Sequence, residues 1–171
     1  MSDLKSYIRD IPDFPKPGIL FRDITPLLAN GPAWRECIDR LAERYRDRVD
    51  IVLGIESRGF IVGAPLAYAL GCGQGVIRKP GKLPAATFSA DYELEYGTDS
   101  IEIHQDTFAP GSRVLLVDDL LATGGTARAA LKLIQQLQGN VVEVAFLIEL
   151  LALDGRKRLA PCEVFALMQY E

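Results

Sequence analysis

Cysteine is scarce in this chain. Cys37, Cys72 and Cys162 are odd in number, scattered, and form no C-x-x-C pair. Free thiols in a reducing cytoplasm are therefore the expected state. Histidine is scarcer still: His104 is the single example, and a lone strand histidine reads first as a surface residue. Excess positive charge is also missing. The net charge of −4 argues against nucleic acid as the main partner, so any polyanion must meet local positive charge. No apolar run approaches membrane-spanning length and no signal peptide is visible, which makes a cytoplasmic location the expectation. Internal repeats and low-complexity linkers are absent as well. What remains is ordinary globular composition, 49% hydrophobic and 25% charged. A length of 171 residues suits one domain spanning 1–171.

The most informative stretch runs from Val114 to Thr126. Val114 to Val117 is an apolar, partly β-branched run that suits a strand buried on both faces. Asp118 and Asp119 follow. Burying an ionised carboxylate without a partner is costly, so both are expected where the strand reaches solvent. In an open parallel sheet that edge is where ligands bind. Gly124 and Gly125 let the backbone turn tightly, and a helix beginning near Thr126 points free N–H groups at the turn. That geometry suits a phosphate, with Thr123 and Thr126 adding hydroxyls. The carboxylates can accept hydrogen bonds from sugar hydroxyls, so a ribose 5-phosphate satisfies both ends. No lysine follows the glycines as a P-loop requires, and the spacing is not G-x-G-x-x-G.

The rest of the chain supplies further pieces. Asp3 to Arg9 reads as a short helix, and the prolines of Ile11 to Gly18 predict irregular backbone. Leu20 to Ile24 is amphipathic; on residues alone, Phe21 reads as core and Arg22 as a solvated charge. Trp34 to Arg48 has helical spacing. Ile51 to Ile55 is a short buried strand, then Glu56-Ser57-Arg58-Gly59 leads into a helix reaching Leu70, with Pro65 limiting its regularity. Ser57-Arg58 at a helix start is either an anion site or an arginine ion pair. Arg78-Lys79-Pro80-Gly81-Lys82, after a strand from Gly75 to Ile77, is the clearest basic cluster. Tyr92, Leu94 and Tyr96 alternate with acids, and Ile101 and Ile103 with Glu102 and His104, which predicts a projecting hairpin able to act as a lid or merely to be solvated. A helix from Thr126 to Gln138, a strand from Val141 to Leu150, an exposed polar turn from Asp154 to Arg158 and a strand from Glu163 to Met168 complete the chain. Strands near 51, 75, 114, 142 and 163 separated by helices predict an α/β fold with a doubly wound parallel sheet.

Val114 to Thr126 resembles the phosphoribosyl-pyrophosphate (PRPP) signature of the type I phosphoribosyltransferases. Asp118 to Thr126 is similar to the version carried by the adenine phosphoribosyltransferases, and the likeness spans nearly the whole chain. It implies a five-stranded core, an N-terminal hood of about residues 1–33 and a mobile hairpin loop of about residues 84–104. Pro17 to Ile24 resembles the adenine-binding hood. The likeness implies that Phe21 stacks on the purine while backbone groups near Leu20 and Arg22 read its Watson–Crick edge. It further implies that Glu56, Ser57 and Arg58 form a pyrophosphate loop with a non-proline cis peptide at Glu56–Ser57. Lys79 and Lys82 are the implied cations for pyrophosphate. Asp118, Asp119, Ala122, Thr123, Gly124, Gly125 and Thr126 are the implied PRPP-binding set.

The implied reaction is adenine plus PRPP giving AMP and pyrophosphate, a step of purine salvage. Mg²⁺ is expected to arrive with PRPP, near Asp118 and Asp119 but without assigned direct protein ligands. Leu94-Glu95-Tyr96-Gly97 matches the core of the family's catalytic loop, which places Glu95 and Tyr96 with Arg58 among the catalytic candidates. Related 6-oxopurine enzymes carry an aspartate where Ala122 stands. Alanine cannot move a proton, so Glu95 is the candidate general acid or base. A homodimer is also implied. Two other readings stand beside this one: a PRPP-binding regulator without catalysis, and a transferase for another purine.

Overall fold

The computed structural model describes residues 3–93 and 98–171. Asp3 caps a short 3₁₀ turn, Leu4–Tyr7, by accepting from the Lys5 N–H. Arg9–Pro12 (β1) and Leu20–Asp23 (β2) then pair antiparallel, with Ile11 opposite Phe21. The irregular backbone expected from Ile11 therefore starts only after Pro12. A proline is tolerated at the end of an edge strand, where its missing N–H breaks no central ladder. Two helices follow, Thr25–Ala29 (α1) and Gly31–Tyr45 (α2), the second capped by the Asn30 side chain.

Ile51–Ile55 (β3) leads into Arg58–Leu70 (α3), which returns to Gly73–Ile77 (β4). The helix runs straight through Pro65. Thr87–Glu93 (β5) and Thr98–His104 (β6) form an antiparallel hairpin. Arg113–Leu121 (β7), Gly125–Gln136 (α4), Asn140–Leu150 (β8), the short helix Gly155–Leu159 (α5) and Val164–Tyr170 (β9) complete the order. The exposed polar turn expected from Asp154 to Arg158 is thus mostly α5. Five strands make one parallel sheet in the order β4-β3-β7-β8-β9.

Strand alternation divides the core between the two faces of this sheet. Ile51, Leu53 and Ile55 of β3 join Val114 and Leu116 of β7 on the face covered by α4 and the hairpin. Val52, Leu115 and Val117 face α2 and α3. Both faces are apolar because both are covered. The hairpin is less detached than its alternation predicts: Ala90, Ile101 and Ile103 are buried in the first of these clusters. The three cysteines are unpaired. Among the described residues, no helix is long and apolar enough to cross a membrane.

The order reverses between β3 and β7. From β3 the chain moves outward to β4, whereas from β7 it moves the other way to β8 and β9. The carboxyl ends of these two neighbouring strands therefore flank the crevice where such sheets take ligands.

Candidate active site

Two helices begin beside each other at that crevice, and neither has a side-chain cap. Ser57 precedes α3 and Gly124 precedes α4, and neither start carries a capping side-chain bond. The N-terminal turn Leu4–Tyr7 and α2 are capped, whereas the short helices α1 and α5 also lack a capping side chain. Uncapped starts leave backbone N–H groups for an anion. The peptide bond Glu56–Ser57 is cis, as the resemblance implied.

Close backbone approach seats the start of α3 against the end of β7. A Cβ on Gly59 would lie 2.9 Å from the Val117 carbonyl oxygen and 3.1 Å from Asp118 Oδ1. Only glycine lets α3 begin this close to the end of β7. The turn Ala122–Gly124 then closes around a small cavity of about 100 Å³. Asp118, Ala122, Thr123, Gly124, Gly125 and Thr126 line it. A larger cavity of about 450 Å³ lies between the hairpin and α4 and shares only Gly125 with this one. The smaller cavity is the one on which Asp118 and the open helix start converge.

Asp118 is partly exposed at the strand end, whereas Asp119 departs from the expectation of a solvent-reached carboxylate. Asp119 is only 3% exposed. Its burial is possible because Arg58 Nε lies 3.0 Å from Asp119 Oδ2. That oxygen is buried against Arg58 and, among the described residues, has no well-aligned hydrogen bond. Asp118 Oδ1 accepts the Asp119 N–H at 2.9 Å. Burial, and then the charge of Asp119, push the Asp118 carboxyl well above the ordinary range. Burial also raises Asp119, opposed by the Arg58 charge.

Arg58 has a second neighbour. Its guanidinium carbon lies 5.4 Å from the centre of the Phe21 ring. One arginine therefore joins the N-terminal two-stranded sheet to the carboxylates of β7. Phe14, half exposed, packs its edge against Phe21 at 5.1 Å between ring centres. Leu20 is exposed beside them. Arg22 turns its side chain away from this cluster, pairing with Asp10 and stacking 4.1 Å from the Tyr170 ring centre. Since β2 pairs on one side only, it retains a row of unpaired backbone donors and acceptors.

The basic turn joins the site through Glu56. Its carboxylate accepts from the Lys79 backbone N–H at 2.8 Å and Lys82 Nζ at 3.0 Å, with Arg78 Nε at 3.3 Å. Burial acts to raise this carboxyl, yet these donors together hold it down at about 2. Its contribution to stability is thus present above the ordinary carboxylate range and is lost as pH falls toward 2. Lys79 Nζ reaches instead toward the hairpin, donating to Tyr92 Oη at 2.7 Å and pairing with Asp99.

The structure therefore brings Phe21, Ser57, Arg58, Asp118, Asp119 and the turn Ala122–Thr126 around one crevice, with Glu56 tying Lys82 to it. Glu95 and Tyr96, together with Leu94 and Gly97, lie outside the described residues. Phe14, Tyr92 and Asp99 escaped sequence reasoning as site neighbours. Only the exposed-aromatic spacing of Phe14 and Phe21 and the alternation at Tyr92 hinted at them.

Comparison with known proteins places this geometry in context. The phosphoribosyl transferase domain model matches residues 24–167. The adenine phosphoribosyltransferase of Chloroflexus aurantiacus is 62% identical over 169 residues, covering 98% of each chain. The crystal structure of the adenine phosphoribosyltransferase of Thermoanaerobacter pseudethanolicus superposes with a TM-score of 0.95 at 53% identity, covering 98% of each chain. The Saccharomyces cerevisiae adenine phosphoribosyltransferase, complexed with an imino-altritol bisphosphate and adenine, gives a TM-score of 0.92 at 44% identity, covering 96% of each chain.

Proposed function

The chain belongs to the phosphoribosyl transferase family and, within it, to the adenine phosphoribosyltransferases, and on that premise we propose how its residues divide the conversion of adenine and PRPP to AMP and pyrophosphate. The observation that carries this reading is the position of Arg58. It stands between the Phe21 ring and the buried Asp119, where a base, a ribose and a leaving pyrophosphate meet.

The 5-phosphate takes the turn Ala122–Thr126 and the uncapped start of α4. Asp118 and Asp119 accept the ribose hydroxyls. Glu56, Ser57 and Arg58 with Lys79 and Lys82 form the pyrophosphate site, Glu56 by holding the basic turn rather than by touching the anion. Adenine stacks on Phe21, and the open backbone edge of β2 near Leu20 and Arg22 reads its N1 and N6. N9 of adenine bonds to C1′ as the C1′–oxygen bond to pyrophosphate breaks. Negative charge grows on the leaving group, and Arg58, Lys79 and Lys82 stabilise it.

Mg²⁺ belongs to the proposal as a companion of PRPP. Asp118 and Asp119 are the carboxylates beside the phosphate turn. Among the described residues, no cluster of three or more His, Cys, Asp or Glu is placed to hold a metal. Two adjacent carboxylates fit an ion held largely by substrate oxygens and water. When bound, the ion supplies positive charge to the pyrophosphate oxygens.

Ala122 leaves the N7 side of the purine without a proton donor, and we assign the N9 proton to Glu95 on the strength of the loop sequence. Glu95→Gln is expected to lower kcat by about 10²- to 10⁴-fold and to remove one limb of its pH profile. Full turnover with an unchanged profile would take Glu95 out of the mechanism. A homodimer is proposed from the family likeness. Ile61 and Tyr68 on α3 support it as exposed apolar side chains, Tyr68 being 90% exposed.

The deciding experiment offers adenine, hypoxanthine, guanine and xanthine side by side with PRPP and Mg²⁺ and measures nucleotide formation. Turnover with adenine alone is the expected result. Turnover with a 6-oxopurine would keep the phosphate site but overturn the roles given to Ala122 and β2. PRPP binding without turnover on any base would make the protein a PRPP sensor.

A further inference from the structure

Lys79 is assigned above to pyrophosphate, yet its ammonium already has an anionic partner. Nζ donates to Tyr92 Oη at 2.7 Å and forms an ion pair with Asp99 Oδ2. Tyr92 Oη donates to the same Asp99 oxygen at 3.0 Å. Tyr92 and Asp99 face each other in register across the hairpin, one on β5 and one on β6. The other carboxylate oxygen, Asp99 Oδ1, accepts the Ser100 N–H at 2.8 Å. The carboxylate is thus held from its own strand, from the facing strand and from the basic turn.

The pair is neither fully solvated nor sealed. The Lys79 and Asp99 side chains are 38% and 32% exposed. Burial works against the Lys79 charge, but Asp99 and Tyr92 outweigh it and hold the ammonium protonated above its ordinary range. Lys79 in turn holds Asp99 below the usual carboxylate range. A pyrophosphate brought to Lys79 in this arrangement meets the negative charge of Asp99 at the same ammonium. Two anions compete for one cation.

Resting on the reading of Lys79 as a pyrophosphate ligand, we propose that Asp99 is a built-in counter-ion. It occupies the Lys79 ammonium in the free protein and yields it when PRPP arrives. Asp99 is then a positioning residue that sets PRPP affinity through Lys79. Exchange also couples the site to the hairpin, because releasing Lys79 removes a tie between the basic turn and β6. The backbone pairing of Arg78 with Glu102 and the Gly81 N–H donated to Glu102 Oε2 at 3.1 Å remain as ties between them. A multiply charged pyrophosphate outcompetes one carboxylate where a singly charged anion does not. The pair thereby screens the basic turn against weak anions.

The test compares the full-length chain with Asp99→Asn and Asp99→Glu. Calorimetry measures the binding of inorganic pyrophosphate with Mg²⁺, and steady-state assays measure turnover with adenine and PRPP. Asp99→Asn is expected to bind pyrophosphate about 3- to 10-fold tighter. Its KM for PRPP should fall while kcat also falls, because the product leaves more slowly. Asp99→Glu should restore the wild-type values. A merely structural role would not split KM from kcat in this direction. Unchanged or weaker pyrophosphate binding by a folded Asp99→Asn, in an enzyme whose wild type turns over adenine, overturns this inference alone. Absence of both turnover and pyrophosphate binding in the wild type overturns the functional reading and this inference with it. Should Asp99→Asn not fold, Asp99→Ser replaces it. If neither folds, Asp99 is structural and the inference fails.

Discussion

Arg58→Ala is expected to lower kcat/KM for PRPP by about 10²- to 10³-fold, the loss typical of removing one preorganised group from a developing anion. The structure gives the substitution two costs at once. Pyrophosphate loses a cation, and Asp119, 3% exposed, loses the guanidinium that lies 3.0 Å from its carboxylate. A buried carboxylate stripped of its partner resists ionisation. Arg58 now opposes the upward push of burial on Asp119, so removing it moves that carboxyl higher still. If ionised Asp119 is the form that orients the ribose, the acidic limb of kcat/KM shifts to higher pH in the variant. Arg58→Lys should recover only part of the rate. An ammonium restores charge but not the planar group that lies over the Phe21 ring. Rate measurements across pH on the three proteins check both statements. A variant with wild-type kcat/KM and an unmoved acidic limb would remove Arg58 from the site.

Gly124→Ala should damage PRPP binding as severely without unfolding the sheet. Gly124 has φ +79°, and a Cβ there would lie 2.8 Å from the carbonyl oxygen of Gly155. The obstruction is backbone, so no side-chain rotation relieves it. The turn must move, and with it the N–H groups that open α4. Displacing such groups by about 1 Å costs on the order of 10²-fold, and the strained conformation itself costs about 1–3 kcal/mol of stability. The expected result is a large rise in KM for PRPP, with circular dichroism unchanged and a modestly lower Tm. Wild-type KM would show that the turn tolerates a side chain and that the close packing on Gly155 is incidental.

Much of this was legible in the chain itself. The apolar runs at Ile51–Ile55 and Val114–Val117 specify strands covered on both faces, and the fold places them side by side. The Asp-Asp pair followed by a small-residue turn specifies a strand end and an open helix start. Other features depend on contacts that no local pattern records. Asp119 could be buried only because Arg58, from the preceding β-α unit, reaches it. Proline composition hid β1, whose partner β2 supplies the order that Ile11 and Pro12 lack locally. Asp99 sits in a hairpin that can read as merely solvated, and its meaning appears only when Lys79 is brought across to it. Pro65 warned of an irregular helix, yet α3 continues through it.

The wall of the phosphate turn comes from far along the chain. Gly155 packs on Gly124, and the neighbouring Arg156 is clamped by buried Glu149 at 2.9 and 2.6 Å and donates to the Val164 carbonyl. Gln169, on the outermost strand, holds the same Glu149 at 2.9 Å. A nascent chain displays the whole signature Val114–Thr126 outside the ribosome before Glu149, Gly155 and Gln169 have emerged beside it. Its turn then has no opposing surface to press against. Binding competence is therefore expected to switch on only when the edge strand β9 docks, rather than when the signature itself is exposed.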